Sequence, residues 1–408
     1  MYPEINPLKK NVLISGGWGY GNRGDNAILS GLLTLLVSDE SVYNVSLTSF
    51  SVEELDRLHG LRSSPSLHRA ITVKGRISQF LLNRRVKAYL RGKEPIPAEL
   101  TDQAVLIGKS DVVVLAGGGY FNDEWESMLL AQYATIRLAS DLGKPIIILG
   151  QSIGKFSEKS IKSHLKKHLA LIDRIVVRDR GSFVVALKAG YPENHLSLAA
   201  DMANLLTPAE SYVAKRADER PVIGLMVQNF RHSFHNTGRA SRATLNRKTY
   251  FAAIVDVIRG ISERRDVIFR IVPSTVWDEP FLEKVCIEMD AMGIAYDFNR
   301  SPSVAEYISS CQHVDVMLST NMHPVILAST AGRPSVALSY HFKLGDYMED
   351  IGLGDFVEHI DSFSPQSVVD KVLVCLDTAS DLSNMVRKNQ GLLRDKALRS
   401  ISKMQEIT

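Results

Sequence analysis

The stretch "GGWGYGNRGDNAILSGLL", Gly16 to Leu33, decides how the chain is read. Five glycines fall in its first nine residues, before an apolar helical pattern begins. Gly19-Tyr20-Gly21-Asn22-Arg23-Gly24 spells the G-x-G-x-x-G of dinucleotide-binding folds. The surroundings do not fit that reading. In such folds the first glycine follows the strand directly, and an acid about twenty residues on, at the tip of the second strand, holds the ribose. Here the strand expected at 11–15 stops short of Gly19, and the second strand ends in "SLTSFS" with no acid. No G-x-x-x-x-G-K-[ST] occurs either. What remains is a flexible loop at a strand's carboxyl end, carrying Asn22, Arg23 and Asp25 onto a helix start. Asp25 reads there as a helix cap or as a ligand-facing carboxylate, and the glycines as room for a ligand to approach the backbone.

Outward from this loop, short β-branched runs alternate with helical patterns along the whole chain, which argues α/β with parallel sheets. Strands are expected at 11–15, 44–49, 111–116, 145–150 and 174–177. A polar stretch, "TPAESYVAKRADERP", interrupts the pattern after Leu206. A second series follows at 222–227, 267–272, 295–298, 314–319 and 335–338. The expected architecture is two doubly wound, Rossmann-like domains facing each other across a cleft. They take residues 1–206 and 221–380, with a linker at 207–220. The tail, 381–408, reads as a helix that crosses back to the first domain.

Composition bounds the function. The 408 residues are 45% apolar and 23% charged, ordinary for a globular protein of two domains. A formal net charge of +3 is too small to argue for nucleic acid as a partner. Cys286, Cys311 and Cys375 are scattered and form no CxxC pair, which excludes a disulfide framework. The start, "MYPEINPLKKNVLIS", lacks the apolar core of a signal peptide, and no apolar run is long enough to span a membrane. A cytoplasmic protein is expected, and the sequence points to no cofactor or metal.

Six motifs occur in order: the Gly16 loop, "VLAGGGYFNDEW" (Val114–Trp125), "ILGQSIG" (Ile148–Gly154), "IVVRDRGS" (Ile175–Ser182), "AADMANLL" (Ala199–Leu206) and "STNMHPVILASTAGRPSVALSYHFKLGDYMEDIGL" (Ser319–Leu353). In this set the chain resembles the polysaccharide pyruvyl transferase family. The resemblance implies a fold similar to the GT-B glycosyltransferases. It also implies transfer of pyruvate from phosphoenolpyruvate to a sugar of a surface polysaccharide or its lipid-linked precursor, leaving a pyruvate ketal. The chain departs from the family pattern at Asn26, where an acid is usual, and at Asn321, where arginine is frequent.

The residues suit that donor. Phosphoenolpyruvate carries a carboxylate and a phosphate, so its pocket needs cations and oriented N–H groups. Ser319-Thr320-Asn321 leads into a helix expected to begin near Met322, with Pro324 in its first turn and a partial positive charge at its start. His323 lies in that turn, and Lys343 follows the next strand. No Asp or Glu occurs between Asp315 and Asp346, whereas a nucleotide sugar would favour a carboxylate to grip ribose. The donor set is therefore Ser319, Asn321, His323, Lys343 and Arg178, whose fork suits a carboxylate. An Arg178–Asp179 surface pair is the competing reading of Arg178. His323, which titrates near neutrality by type, is the expected acid, as opposed to a purely structural histidine. Asp25, at a helix start that favours the ionised carboxylate, is the expected base or hydroxyl orienter. The acceptor set is Asn22, Asp25, Asn122, Asp123, Glu124 and Gln151, with Asp201 in reserve; capping and packing are the alternatives for the "NDEW" residues.

Weaker signals complete the reading. His232 and His235 lack a third ligand, so no metal is expected. Arg231, Arg239 and Arg242 belong to a loop that reads as a lid or as plain solvated chain. The basic stretch Ile71–Lys93 is either an ordinary domain helix or a peripheral membrane contact. Two other functions stay open: a GT-B glycosyltransferase using a sugar nucleotide, and a non-catalytic glycan- or anion-binding relative.

Overall fold

The computed structural model describes residues 9–37, 42–59, 63–72, 75–154, 156–208, 220–228, 247–301, 303–340 and 342–407. By its contacts the chain forms two units. The first comprises Met1–Tyr20, Ile28–Met202 and Asp395–Thr408; the second comprises Gly21–Ala27 and Ala203–Arg394. These limits differ from the sequence boundary at 206, most notably in that the short loop Gly21–Ala27 groups with the second unit. Most of the expected linker, and the arginine-rich loop with His232 and His235, lie outside the described residues.

In the first unit the strands are β1 (Lys10–Ser15), β2 (Tyr43–Ser49), β3 (Ser63–Pro65), β4 (Val112–Ala116), β5 (Ile146–Gln151), β6 (Arg174–Val177) and β7 (Leu196–Leu198). They pair in parallel in the order β3-β2-β1-β4-β5-β6-β7. The central strands "VVVLA" and "IIILGQ" are buried throughout, because a parallel sheet is covered on both faces and its strands need no polar side. The core joins Leu13, Val113, Leu115, Ile146 and Ile148 to Phe121, Leu130 and Tyr133.

The second unit repeats the design with β8 (Val222–Met226), β9 (Ile268–Ile271), β10 (Tyr296–Phe298), β11 (Val316–Ser319), β12 (Ser335–Ser339) and β13 (Val357–His359). Their order is β10-β9-β8-β11-β12-β13, again parallel. Both orders reverse direction beside their first strand, between β1 and β4 and between β8 and β11. Such a switch point leaves a crevice at the carboxyl ends of the strands, where ligands of this fold bind. The ten expected strands are present. Only β3, β7 and β13, three-residue edge strands without an apolar run, carry no signal in the sequence.

Among the described residues no helix is long and apolar enough to cross a membrane. The three cysteines are buried and free, and burial pushes the thiols of Cys286 and Cys375 up to about 11 and about 12.

Candidate functional site

The switch point of the second unit is built from backbone and small hydroxyls. Thr320 N donates to Met226 O at 2.9 Å, and Gln228 N donates to Thr320 Oγ1 at 2.9 Å, which ties the ends of β8 and β11 together. Ser319 Oγ donates to Asn321 O at 2.8 Å and accepts from Asn321 N at 2.9 Å, so the serine shapes the turn. The helix Met322–Thr330 starts immediately after it. Asn321 occupies its cap position in an extended conformation, but its side chain makes no capping bond. Its Oδ1 is buried with no hydrogen-bond partner among the described residues. The Asn321 side chain therefore supplies no acceptor to the first N–H groups of this helix, whose positive end suits an anion.

The glycine-rich loop runs into this place. Asn22 forms an isolated bridge with Thr275, and Arg23 N donates to Ser274 O at 2.9 Å. The Arg23 guanidinium bonds Pro273 O (3.1 Å), Arg300 O (2.7 Å) and the Glu279 carboxylate (2.7 Å). Its charge is used to hold the loop. Asn22 Oδ1 accepts from Gly24 N at 3.0 Å and Asp25 N at 3.3 Å, so Asn22 caps the helix Arg23–Leu36. This corrects the reading of Asp25 as the cap: Asp25 is buried in the first turn and accepts from Asn22 Nδ2 at 2.6 Å. Gly24 is where the loop meets His323. A Cβ built there would lie 2.3 Å from His323 Nδ1, too close for any side chain, so the imidazole rests on the glycine backbone. Asn26, two residues on, is buried with an Oδ1 that has no partner among the described residues.

Asn22, Asp25, Ser319, Asn321, His323 and Lys343 thus belong to one unit, Lys343 in the first turn of the helix Phe342–Asp350. The expected division of Asn22 and Asp25 from the His323 group does not follow the units.

The remaining candidates belong to the first unit. Arg178 is not in a surface pair with Asp179. Its guanidinium is ion-paired with Asp201, the two side chains being 6% and 3% exposed, and its Nε donates to Ser152 Oγ at 2.9 Å. Asp179 instead caps the helix Arg180–Lys188 through Ser182 N (2.8 Å) and accepts from Ser152 Oγ (2.6 Å). Asn122 accepts from Glu124 N and Trp125 N, a turn cap, and Asp123 accepts from Ser157 N at 2.8 Å. Gln151 is the exception. It is fully buried at the end of β5, and neither side-chain amide atom has a partner among the described residues.

One polar chain went unread in the sequence: Tyr20 Oη bonds His68 Nδ1, and His68 Nε2 lies 3.1 Å from Ser127 Oγ. Burial lowers His68 to about 4, so the imidazole is neutral. Its members stand dozens of residues apart in unremarkable contexts, so no spacing rule would have found it.

Two parallel sheets of this strand order in one chain define a protein of the GT-B class of fold, and solved structures of that kind resemble it. A UDP-N-acetylglucosamine 2-epimerase described as putative, from Listeria monocytogenes, is 13% identical with a TM-score of 0.63, covering 98% of this chain and 97% of that one. MnaA from S. aureus, solved with UDP, is 12% identical with a TM-score of 0.62, covering 98% of both chains. HepE from Anabaena, in complex with UDP and glucose, is 11% identical with a TM-score of 0.58, covering 97% of this chain and 98% of that one. At such identities the likeness is one of fold. The chain itself belongs to the polysaccharide pyruvyl transferase family, whose model matches residues 22–342. It is also 21% identical over 412 residues to the amylovoran biosynthesis protein AmsJ of Erwinia amylovora, covering 92% of this chain and 94% of AmsJ. The family places the chain among transferases of polysaccharide biosynthesis.

Proposed function

We propose that the protein transfers pyruvate from phosphoenolpyruvate to a sugar of a surface polysaccharide, or of its lipid-linked precursor at the inner face of the cytoplasmic membrane, leaving a pyruvate ketal. The observation that carries this reading is the imidazole of His323 resting on Gly24, beside a helix start that the Asn321 side chain does not cap. That pairing brings together an anion-suited backbone, an acid by type and, one residue beyond Gly24, a carboxylate.

In this reading the first turn of Met322–Thr330 and Lys343 receive the phosphate and carboxylate of the donor. His323 as imidazolium protonates the methylene carbon of phosphoenolpyruvate, and the former enol carbon becomes oxocarbenium-like. A sugar hydroxyl adds to that carbon and gives up its proton to Asp25. The C–O bond to phosphate breaks, phosphate leaves with both electrons, and a second hydroxyl closes the ketal with loss of its own proton. Gln151, Asn122, Asp123 and Glu124 remain acceptor-side candidates. Arg178 is withdrawn from the donor grip, because its guanidinium is engaged by the buried carboxylate of Asp201.

A second reading, transfer from a sugar nucleotide, has one observation in its favour: several proteins of similar fold were solved with UDP. Titration calorimetry with phosphoenolpyruvate, UDP and GDP separates the two. Heat with phosphoenolpyruvate alone is expected, and binding of a nucleotide alone would sink the proposal. His323→Ala is expected to lower kcat by about 10²–10⁴. An unchanged rate would remove His323 from the chemistry, and a wild type with no phosphate release on any acceptor would favour a binding module.

A further inference from the structure

The helix Arg76–Leu90 is apolar on two sides. Leu82, Val86, Tyr89 and Leu90 face inward and are buried, as a helix packed on a domain requires. On the opposite side Ile77, Phe80 and Leu81 are 78%, 67% and 52% exposed. Their spacing sets them in one patch, and the same outward line continues as Arg84, Lys87 and Arg91. Single exposed apolar residues are ordinary; three large ones side by side on a helix, followed by a row of cations, are not.

The charge is as uneven as the apolarity. From Ile71 to Lys93 there are seven Lys and Arg and no Asp or Glu, in a chain whose net charge is only +3, so the rest of the molecule is net acidic. Among the described residues two of these cations are paired, Arg85 with Glu99 at 3.2 Å and Lys87 with Glu126 at 2.6 Å. Arg84, Arg91 and Lys93 form no ion pair among the described residues. A cavity of about 510 Å³ opens at this basic end, with Lys87, Arg91 and Lys167 on its wall as well as Asp123 and Glu126.

We propose that this face docks the protein on an anionic phospholipid bilayer. Ile77, Phe80 and Leu81 enter the boundary between headgroups and acyl chains, and Arg84, Arg91 and Lys93 meet lipid phosphates. A helix lying in the interface needs this division, an apolar patch for depth and cations for the surface potential. A second copy of the chain is a poorer occupant, because a two-fold contact would set the same cations against themselves. The inference deepens the membrane clause of the proposed function, and it stands or falls apart from the donor chemistry because its test reads no turnover.

The test is co-sedimentation of the full chain with vesicles of phosphatidylcholine alone and of phosphatidylcholine with one third phosphatidylglycerol. Binding is expected only to the anionic vesicles and is expected to weaken with added salt. Ile77→Ser with Phe80→Ser should reduce the partition coefficient by about tenfold or more, since binding scales with the apolar area entering the interface. Arg84→Glu with Arg91→Glu should reduce it by at least the roughly fivefold per basic residue expected at such a surface. These side chains are exposed, so the circular dichroism melts should match the wild type, which keeps a loss of binding interpretable. Equal binding to both vesicle types, no binding to either, or wild-type binding by both double variants would overturn the proposal. So would a wild-type dimer in solution that Ile77→Ser with Phe80→Ser dissolves.

Discussion

At the carboxyl edge of the first sheet, polar side chains bind one another: Arg178 pairs with Asp201, Asp179 caps a helix, and Asn122 caps its own turn. At the same edge of the second sheet the side chain of Asn321 does not cap the helix Met322–Thr330, and its buried carbonyl oxygen is satisfied by nothing described. Buried polar atoms are nearly always paired, so groups left over at a switch point mark where something other than the protein completes them. The difference teaches that equal strand order does not mean equal duty. The first edge is closed by internal partners at every one of these positions but Gln151, whereas the second leaves the Asn321 carbonyl oxygen unsatisfied by any described residue, at the start of a helix that this side chain does not cap.

The sharpest way to break this contrast is to open the closed edge. Arg178→Ala removes the guanidinium from the buried Asp201 carboxylate, and breaking such a pair should cost about 3–5 kcal/mol of stability. The double change Arg178→Met with Asp201→Leu should recover most of that loss, because it removes the stranded charge as well as its partner. Urea unfolding of the three proteins is the measurement. If Arg178→Ala unfolds like the wild type but loses affinity for phosphoenolpyruvate, the arginine serves the donor and the contrast fails.

Acid should distinguish the two units, each buried histidine contributing an amount comparable to the Arg178 effect. Burial lowers His59, His68 and His168 to about 4, and all three belong to the first unit. Their folded values lie below the unfolded value near 6.5, so between pH 6.5 and 4 the unfolded chain binds more protons. Stability is then fully present above pH 6.5 and is lost as the pH falls towards 4, by about 3 kcal/mol for each histidine. Hydrogen exchange at pH 7 and pH 4.5 should show protection falling first in the first unit, where the ring of His168 stacks on Tyr133 at 3.8 Å. Equal loss in both units would refute the assignment.

What the sequence could reveal follows the same division. The central strands were legible because each is a short, mainly apolar run such as "VVVLA" or "IIILGQ", and the helix at Met322 because capping-type residues and an early proline precede its apolar stretch. The edge strands β3, β7 and β13 were not, since three residues at a sheet margin need no pattern. Pairings across the fold were equally hidden. Nothing near Arg178 announces Asp201, 23 residues on, and Asp179 next door was the more obvious partner. The membership of Gly21–Ala27 in the second unit was also invisible, because it depends on Arg23 reaching Pro273, Arg300 and Glu279, some 250 residues away.

The open edge can be probed at Gly24. Alanine in a helix's first turn ordinarily stabilises by up to about 1 kcal/mol relative to glycine. Here its Cβ would press on His323 Nδ1, so the imidazole must move. Gly24→Ala should therefore reduce kcat/KM on the order of 10²-fold, the effect of a displacement of about 1 Å at a reacting group. Its melting temperature should stay near that of the wild type. A fully active Gly24→Ala protein would show that His323 has no fixed place in the chemistry.

The smallest effect is expected at Gln151, and it tests whether the first edge is closed throughout. Its amide is fully buried and unsatisfied by any described residue, a condition that costs stability unless a ligand relieves it. Gln151→Met keeps the shape and removes both polar atoms, so urea unfolding should show no loss and a gain of about 1 kcal/mol. If the amide serves the acceptor, the same change should raise KM for the glycan while leaving binding of phosphoenolpyruvate in calorimetry unaltered. A destabilised Gln151→Met would mean that the amide is satisfied within the protein. The first edge would then be closed at every candidate position, and acceptor recognition would fall to Asn22 and Asp25 in the second unit.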